Sequence, residues 1–133
     1  MTARTRLQRV TAMASAMSEA DLQLRITSGT RREPGLCAQL GLIWYHPHDS
    51  RRSPHGWPDL VIARRHVKGY SAGAALFAEL KSENGKVTPE QEEWLEALTW
   101  AGCTTRVWYP ADLLDGTIAR ELAALAGIGV RHG

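Results

Sequence analysis

The chain has 133 residues, of which 44% are hydrophobic and 23% charged, a composition typical of one globular domain and not of a disordered segment. A net charge of only +2 excludes a histone-like polycation, and no stretch is long and apolar enough to span a bilayer, so we expect no membrane partner. Cys37 and Cys103 are far apart in the sequence, which favours a reducing cytoplasm over a disulfide framework.

The first 17 residues combine arginines with small residues, as a secretion signal does. The stretch from Val10 to Met17 is short and is interrupted by Thr11 and Ser15, so it is too polar for the apolar region of a signal. We therefore expect residues 1–17 to form a flexible N-terminal arm and residues 18–130 to form a single domain.

The sequence after the arm predicts two helical pieces and then three strands. Ser18 followed by Glu19 and Asp21 is typical of a capped helix start, and the loop TSGTRREPG at 27–35 divides the helical region in two. The apolar runs at 42–46, 59–63 and 75–81 predict the strands.

The next helix has the clearest boundaries in the sequence. Thr88 is placed to cap it, with Pro89 at its first position and Gln91 completing a capping box, and Gly102 ends it. A fourth strand over 105–109 and a last helix over 114–128 follow. Three consecutive strands indicate an antiparallel meander, and the helix before strand four indicates a crossover to a parallel position. The prediction is an α/β fold with a mixed four-stranded β-sheet flanked by α-helices.

Two charged residues share one face of the third predicted strand. Because side chains alternate along a strand, Glu79 and Lys81 point to the same side, which alone would indicate no more than a weak surface ion pair. Asp59 opens the preceding strand, directly after Pro58, and comes beside Glu79 if these strands pair. Two adjacent carboxylates repel unless a cation lies between them, and oxygen ligands suit Mg²⁺ or Mn²⁺.

Such a cation would serve phosphodiester hydrolysis. A metal polarises the phosphate and lowers the pKa of a bound water, and an ammonium group can orient that water and neutralise developing charge. Lys81 is placed for the second task, and the backbone carbonyl of Leu80 could complete the metal shell.

The sequence around these residues resembles a known nuclease family. Asp59, Glu79 and Lys81 in GWPD and AELK resemble the signature of the PD-(D/E)xK nuclease superfamily. The segments WYHPHDSRRSPHGWPDLVIA, FAELKSENGKVTPEQEEWLEAL and AGCTTRVWYPAD resemble the VRR-NUC family, the virus-type replication-repair nucleases, and the likeness covers residues 18–125. It implies a restriction-endonuclease-like fold.

The resemblance also implies roles for individual residues. Asp59 and Glu79 would be metal ligands, Lys81 the catalytic lysine, and Gln91 the helix glutamine of the family. Gln91 would bond a water or phosphate, cap its helix, or do both. Glu19 matches the acidic residue that the family carries on its first helix. The loop at 27–35 departs from the family pattern by lengthening the path from Glu19 to the first strand, and Glu33 is a poorer substitute.

Five residues are candidates for DNA contact. Four of them lie in the loop at 46–56, which we expect at the mouth of the site, and Lys86 follows the third strand. The candidates are His46, Ser50, Arg51, Arg52 and Lys86. Each is more often an ordinary loop residue when taken singly. Trp57 is the tryptophan placed to stack on a base.

These observations predict a metal-dependent DNA endonuclease, a stand-alone phage-type member of the family that acts on branched DNA as a Holliday-junction resolvase does. Since one site cuts one strand, we expect a homodimer, and we expect it to act in the cytoplasm of a bacterial host, in replication, recombination or repair, without an organic cofactor. Two alternatives stay open. One is a nickase or a flap- or end-processing nuclease; the other is a DNA-binding module with an inactive site.

Overall fold

Four β-strands form one sheet in the computed structural model, which describes residues 5–47, 53–69 and 72–127. The strands are β1 (Ile43–Tyr45), β2 (Leu60–Ala63), β3 (Ala75–Leu80) and β4 (Thr104–Trp108). They lie side by side in chain order; β1 and β3 both run antiparallel to β2, whereas β4 runs parallel to β3. The meander and the parallel fourth strand are therefore confirmed.

The described residues contain six helices, most of them on one side of the sheet. They are α1 (Arg6–Ala16), α2 (Glu19–Ile26), α3 (Leu36–Leu40), α4 (Pro89–Trp100), α5 (Pro110–Leu114) and α6 (Thr117–Leu125). The division of the early helical region around residues 27–35 is as predicted. None of the helices in the described ranges has the length and the apolar character that a bilayer crossing requires.

The N-terminal segment differs from its prediction. In place of an arm before residue 18, the structure has helix α1, which begins with a capping box between Thr5 and Gln8 and packs against α5. Ala14 and Met17 are buried where the segment meets the domain. The sequence pattern did not predict this helix because its residues are mostly polar or small. Of the residues described in this segment, only Ala14 and Met17 are buried.

The end of the chain also differs from its prediction. The predicted helix over 114–128 corresponds to α6, Thr117–Leu125, and a separate short helix that was not predicted, α5 over Pro110–Leu114, precedes it. A backbone hydrogen bond from Tyr109 N–H to Asp112 Oδ2 caps α5 at 2.8 Å. A helix of five residues is too short to show an apolar period.

The two faces of the sheet have different coverings. On one face, Leu60 and Ile62 of β2 and the even-numbered residues of β3 pack with residues of α2 and α6 in the hydrophobic core. The opposite face carries the odd-numbered residues of β3, namely Ala75, Phe77 and Glu79, and lies under α4. No residue of α4 is fully buried. This second face is therefore the more open one, and Glu79, the charged residue of β3, belongs to it.

Candidate active site

Asp59 lies at the point where pairing between β2 and β3 ends. Leu60 pairs with Ala78, so extending the antiparallel register by one residue places Asp59 opposite Glu79. Pro58, which is fully buried, brings the chain to this position. Asp59 Oδ2 accepts a hydrogen bond of 2.8 Å from the backbone N–H of Leu80. This bond holds the carboxylate of Asp59 at the end of β3, beside Glu79.

Glu79 is a carboxyl group inside the protein, with 2% of its surface exposed. Its Oε1 accepts a hydrogen bond of 2.8 Å from Gln91 Nε2 and lies 3.6 Å from Lys81 Nζ. Its Oε2 is buried and has no hydrogen-bond partner among the described residues. A buried polar atom without a partner is costly, so this oxygen is the atom of Glu79 that a proton or a cation would stabilise.

Gln91 caps its helix, as predicted, and its side chain also bonds Glu79, while a bond to a water or phosphate stays a prediction. Its Oε1 accepts the backbone N–H of Thr88 at 2.9 Å, while the Thr88 hydroxyl accepts the backbone N–H of Gln91 at 3.2 Å, which completes the capping box of α4. Because the cap uses the amide oxygen, the amide nitrogen is the group that faces Glu79. The helix start therefore fixes the orientation of the side chain that holds Glu79.

Lys81 follows β3 and shares the side of the sheet that Glu79 occupies. Its side chain is only 9% exposed, and its backbone N–H donates to Trp108 O at 3.0 Å. A buried ammonium group needs a nearby polar partner, and Oε1 of Glu79 lies 3.6 Å from it. The structure thus brings Asp59, Glu79, Lys81 and Gln91 together, as the strand and helix patterns predicted.

Burial and the neighbouring Asp59 perturb the carboxyl group of Glu79. Burial, then the charge of Asp59 and a hydrogen bond with it, raise the pKa of Glu79 to about 8, while Lys81 lowers it. Two ionised carboxylates only accept hydrogen bonds, so the bond between them forms only when one carries a proton. The hydrogen bond between Glu79 and Asp59 is therefore available only while the pair holds a proton.

A divalent cation fits this pair in place of the proton. The donors are two carboxylates, one of them with an unpartnered buried oxygen, and oxygen donors of this kind suit Mg²⁺ or Mn²⁺. Across the described ranges, no three side chains of His, Cys, Asp or Glu are grouped so that they could hold a metal ion. The two acids would therefore need backbone, water or phosphate oxygens to complete the shell. The carbonyl of Leu80 stays a predicted ligand.

A cleft of about 510 Å³ opens beside Asp59. Its walls come from residues 53–57, from Pro47, from the start of α4 at Thr88, Glu90 and Gln91, and from Gln23 of α2. Gln23 was not among the residues predicted from the sequence. The helical period could have indicated it, because Gln23 lies one turn after Glu19 on the same side of α2.

The remaining predicted residues are less closely tied to the cleft. Glu19 is exposed in the first turn of α2 and does not line the cleft. His46 is half-buried next to Pro47, which does line it. Lys86 is exposed and lines a separate surface hollow.

Three of the residues predicted to contact DNA, Ser50, Arg51 and Arg52, lie outside the described residues.

Trp57 lines the cleft, but its ring also packs inside the protein. It meets the ring of Trp94 edge-on, with 5.0 Å between the ring centroids, and the ring of Phe77 at 6.1 Å. Such edge-to-face pairs stabilise a fixed arrangement of aromatic side chains. Trp57 therefore has a packing role, and base stacking stays a prediction.

Comparison with known proteins gives one finding. The family model described as the VRR-NUC domain matches residues 3–111. The mixed four-stranded sheet with its flanking helices is consistent with a restriction-endonuclease-like fold of that family. Neither a curated protein nor a solved structure matches the chain.

Proposed function

The chain belongs to the VRR-NUC family, and we propose that it is a Mg²⁺- or Mn²⁺-dependent endonuclease that cuts branched DNA, with the four-way junction as its preferred substrate. Membership of the family implies a nuclease that acts on DNA, and nucleases of the family generally depend on a divalent metal. The observation that carries the proposal is the pairing of Asp59 with the buried carboxyl of Glu79, whose Oε2 has no partner among the described residues, beside the ammonium group of Lys81.

Each residue of the site has a distinct task in this proposal. A bound divalent cation would polarise the scissile phosphate and lower the pKa of a water molecule. Asp59 and Glu79 hold it through their carboxylate oxygens. Gln91 and Lys81 both engage Oε1 of Glu79, which leaves Oε2 free for the cation.

Lys81 acts on the substrate side of the site. Its ammonium group orients the attacking water or donates to a phosphate oxygen, and it balances the negative charge that grows in the transition state. Burial strengthens this effect, because a charge in a site with little water is poorly screened.

A homodimer is the second part of the proposal. One chain has one such arrangement of Asp59, Glu79 and Lys81, which cuts one strand. A four-way junction has two-fold symmetry, so paired cuts need two copies related by the same symmetry. Resolution of junctions during phage replication or recombination in the host cytoplasm is the setting that this activity suits.

The test is incubation with an immobile four-way junction, labelled on each strand in turn, with and without Mg²⁺. Linear duplex and flap substrates built from the same strands serve as controls, and Asp59→Asn is the inactive variant. We expect paired cuts near the branch point that require both Mg²⁺ and Asp59.

Two other outcomes would contradict parts of the proposal. Equal cutting of the linear duplex or the flap would remove the junction preference and favour the nickase or flap nuclease. If the unmodified chain and Lys81→Ala both bind the junction and leave it intact in Mg²⁺, the chain is a DNA-binding module.

A further inference from the structure

The chain approaches Asp59 through a short loop, residues 53–58, which we call the approach loop. A turn within it is closed by a hydrogen bond from Trp57 N–H to Pro54 O at 3.1 Å. Gly56 has a φ of 84°, a conformation that favours glycine. Pro58 is buried and directly precedes Asp59, so the position of the loop affects the backbone position from which the Asp59 side chain extends.

The approach loop rests on the first turns of α4. A Cβ atom added to Gly56 would lie 2.3 Å from the carbonyl oxygen of Glu90 and 2.7 Å from the backbone nitrogen of Gln91, so the two backbones touch. Trp94 Nε1 donates a hydrogen bond of 3.1 Å to the carbonyl oxygen of His55. The ring of Trp94 also meets the ring of Trp57 edge-on, with 5.0 Å between centroids. The indole of Trp94 thus provides both the aromatic surface and the N–H group of this contact.

The same turns of α4 hold the second carboxylate. Gln91 donates to Glu79 at 2.8 Å, and Trp94 follows three residues later on the helix. Helix α4 therefore contacts both the approach loop, which leads to Asp59, and the side chain of Glu79. Asp59 is thus held by the hydrogen bond from Leu80 N–H and, through the backbone that leads to it, by the seat of the approach loop on α4.

We propose that Trp94 is a positioning residue, which seats the approach loop on α4 and so sets the Asp59 carboxylate against that of Glu79. This inference rests on the proposed function and adds a residue to it that touches neither the cation nor the DNA. A cation held by two carboxylates requires them at a fixed separation. Replacing a residue that orients a metal ligand without binding the metal typically weakens metal affinity by about 10–100-fold.

The test compares Trp94→Phe with Trp100→Phe. Phenylalanine keeps an aromatic ring at position 94 and removes the N–H that binds His55. Trp100 lies on the same helix but is 94% exposed, so its replacement controls for loss of an indole from α4. The measurements are the Kd for Mn²⁺ by titration calorimetry, kcat and KM on cleaved DNA, and the thermal midpoint of each chain.

We expect Trp94→Phe to raise the Kd for Mn²⁺ about tenfold and to lower kcat, with KM for DNA unchanged. Trp100→Phe should match the unmodified chain in all measurements. Gly56→Ala perturbs the same seat from the loop side and should reproduce the weaker Mn²⁺ binding.

A lower thermal midpoint in Trp94→Phe with unchanged Mn²⁺ affinity and kcat would overturn the positioning role, since the contact would then only stabilise the fold. Normal Mn²⁺ affinity in Gly56→Ala would overturn it as well, even if Trp94→Phe did not fold. If the unmodified chain bound no Mn²⁺ and cut no DNA, the proposed function itself would be lost. If it did both and Trp94→Phe matched it, only the positioning role would be lost.

Discussion

The pKa of Glu79 predicts how the stability of the chain depends on pH. In the folded chain this pKa is about 8, against 4.5 for the free group. An acid with a raised pKa favours folding only while it is protonated. The free energy of unfolding is therefore unaffected by this group below pH 4.5, and it falls as the pH rises from 4.5 through about 8.

The size of the effect follows from the two pKa values. One pKa unit corresponds to about 1.4 kcal/mol, so ionisation of Glu79 costs about 3 kcal/mol of stability at pH 7 and about 5 kcal/mol at pH 9. Glu79 is almost fully buried, so solvent does not reduce this cost as it does for a surface carboxylate. A loss of this size is a large part of the stability of a typical domain.

Glu79→Gln provides the measurement. Glutamine resembles the protonated carboxyl and keeps an acceptor for Gln91, but it does not titrate. The free energy of unfolding should be measured by urea denaturation at pH 5, 7 and 9, in EDTA, for the unmodified chain and for Glu79→Gln. We expect the stability of Glu79→Gln relative to the unmodified chain to rise by several kcal/mol over this range.

The control is Glu93→Gln, which removes an exposed carboxylate from α4 and should leave the pH dependence unchanged. A constant stability difference between Glu79→Gln and the unmodified chain from pH 5 to 9 would refute the reasoning, since Glu79 would then ionise normally in the folded chain.

With saturating Mn²⁺ the cation should replace the proton, so binding at pH 7 should release about one proton, measurable by calorimetry in buffers of different ionisation enthalpy.

Three further predictions concern single side chains. Lys81→Met should lower kcat for DNA cleavage by about 10²–10³-fold while Mn²⁺ binding, measured by calorimetry, persists, because the ammonium group acts on the substrate side; weaker Mn²⁺ binding would contradict that role. Gln91→Ala and Thr88→Ala should each lower the free energy of unfolding in urea by about 1 kcal/mol through loss of the α4 cap. Only Gln91→Ala should weaken Mn²⁺ binding, because it alone loses the hydrogen bond to Glu79. Equal Mn²⁺ affinities of the two variants would argue against a role of Gln91 in holding Glu79. Burial raises the pKa of Cys37 to about 12, so iodoacetamide should label Cys103 and spare Cys37 in the folded chain, as mass spectrometry can show, and rapid labelling of both would contradict the burial.

The elements near the site were predictable because short-range rules decide them. Thr88, Pro89 and Gln91 indicate the start of α4 in the sequence, and the structure has the complete capping box there. The strand period placed Glu79 and Lys81 on one side of β3, and the order of elements predicted the antiparallel meander with a parallel fourth strand. The weaker elements α1 and α5 were missed, since packing against each other stabilises them more than local pattern does.

The groups that could carry the chemistry are evident from the residue pattern alone: Asp59, Glu79 and Lys81, with Gln91 at the start of a capped helix. Their spacing along strands and helices is a local property, so it can be read before the chain is folded. Which atoms meet is a result of tertiary packing. It left Oε2 of Glu79 without a partner among the described residues, placed Gln23 in the cleft wall, and seated the approach loop on α4 through Trp94. These contacts join residues far apart in the chain, and they depend on how whole elements pack, which no local pattern specifies.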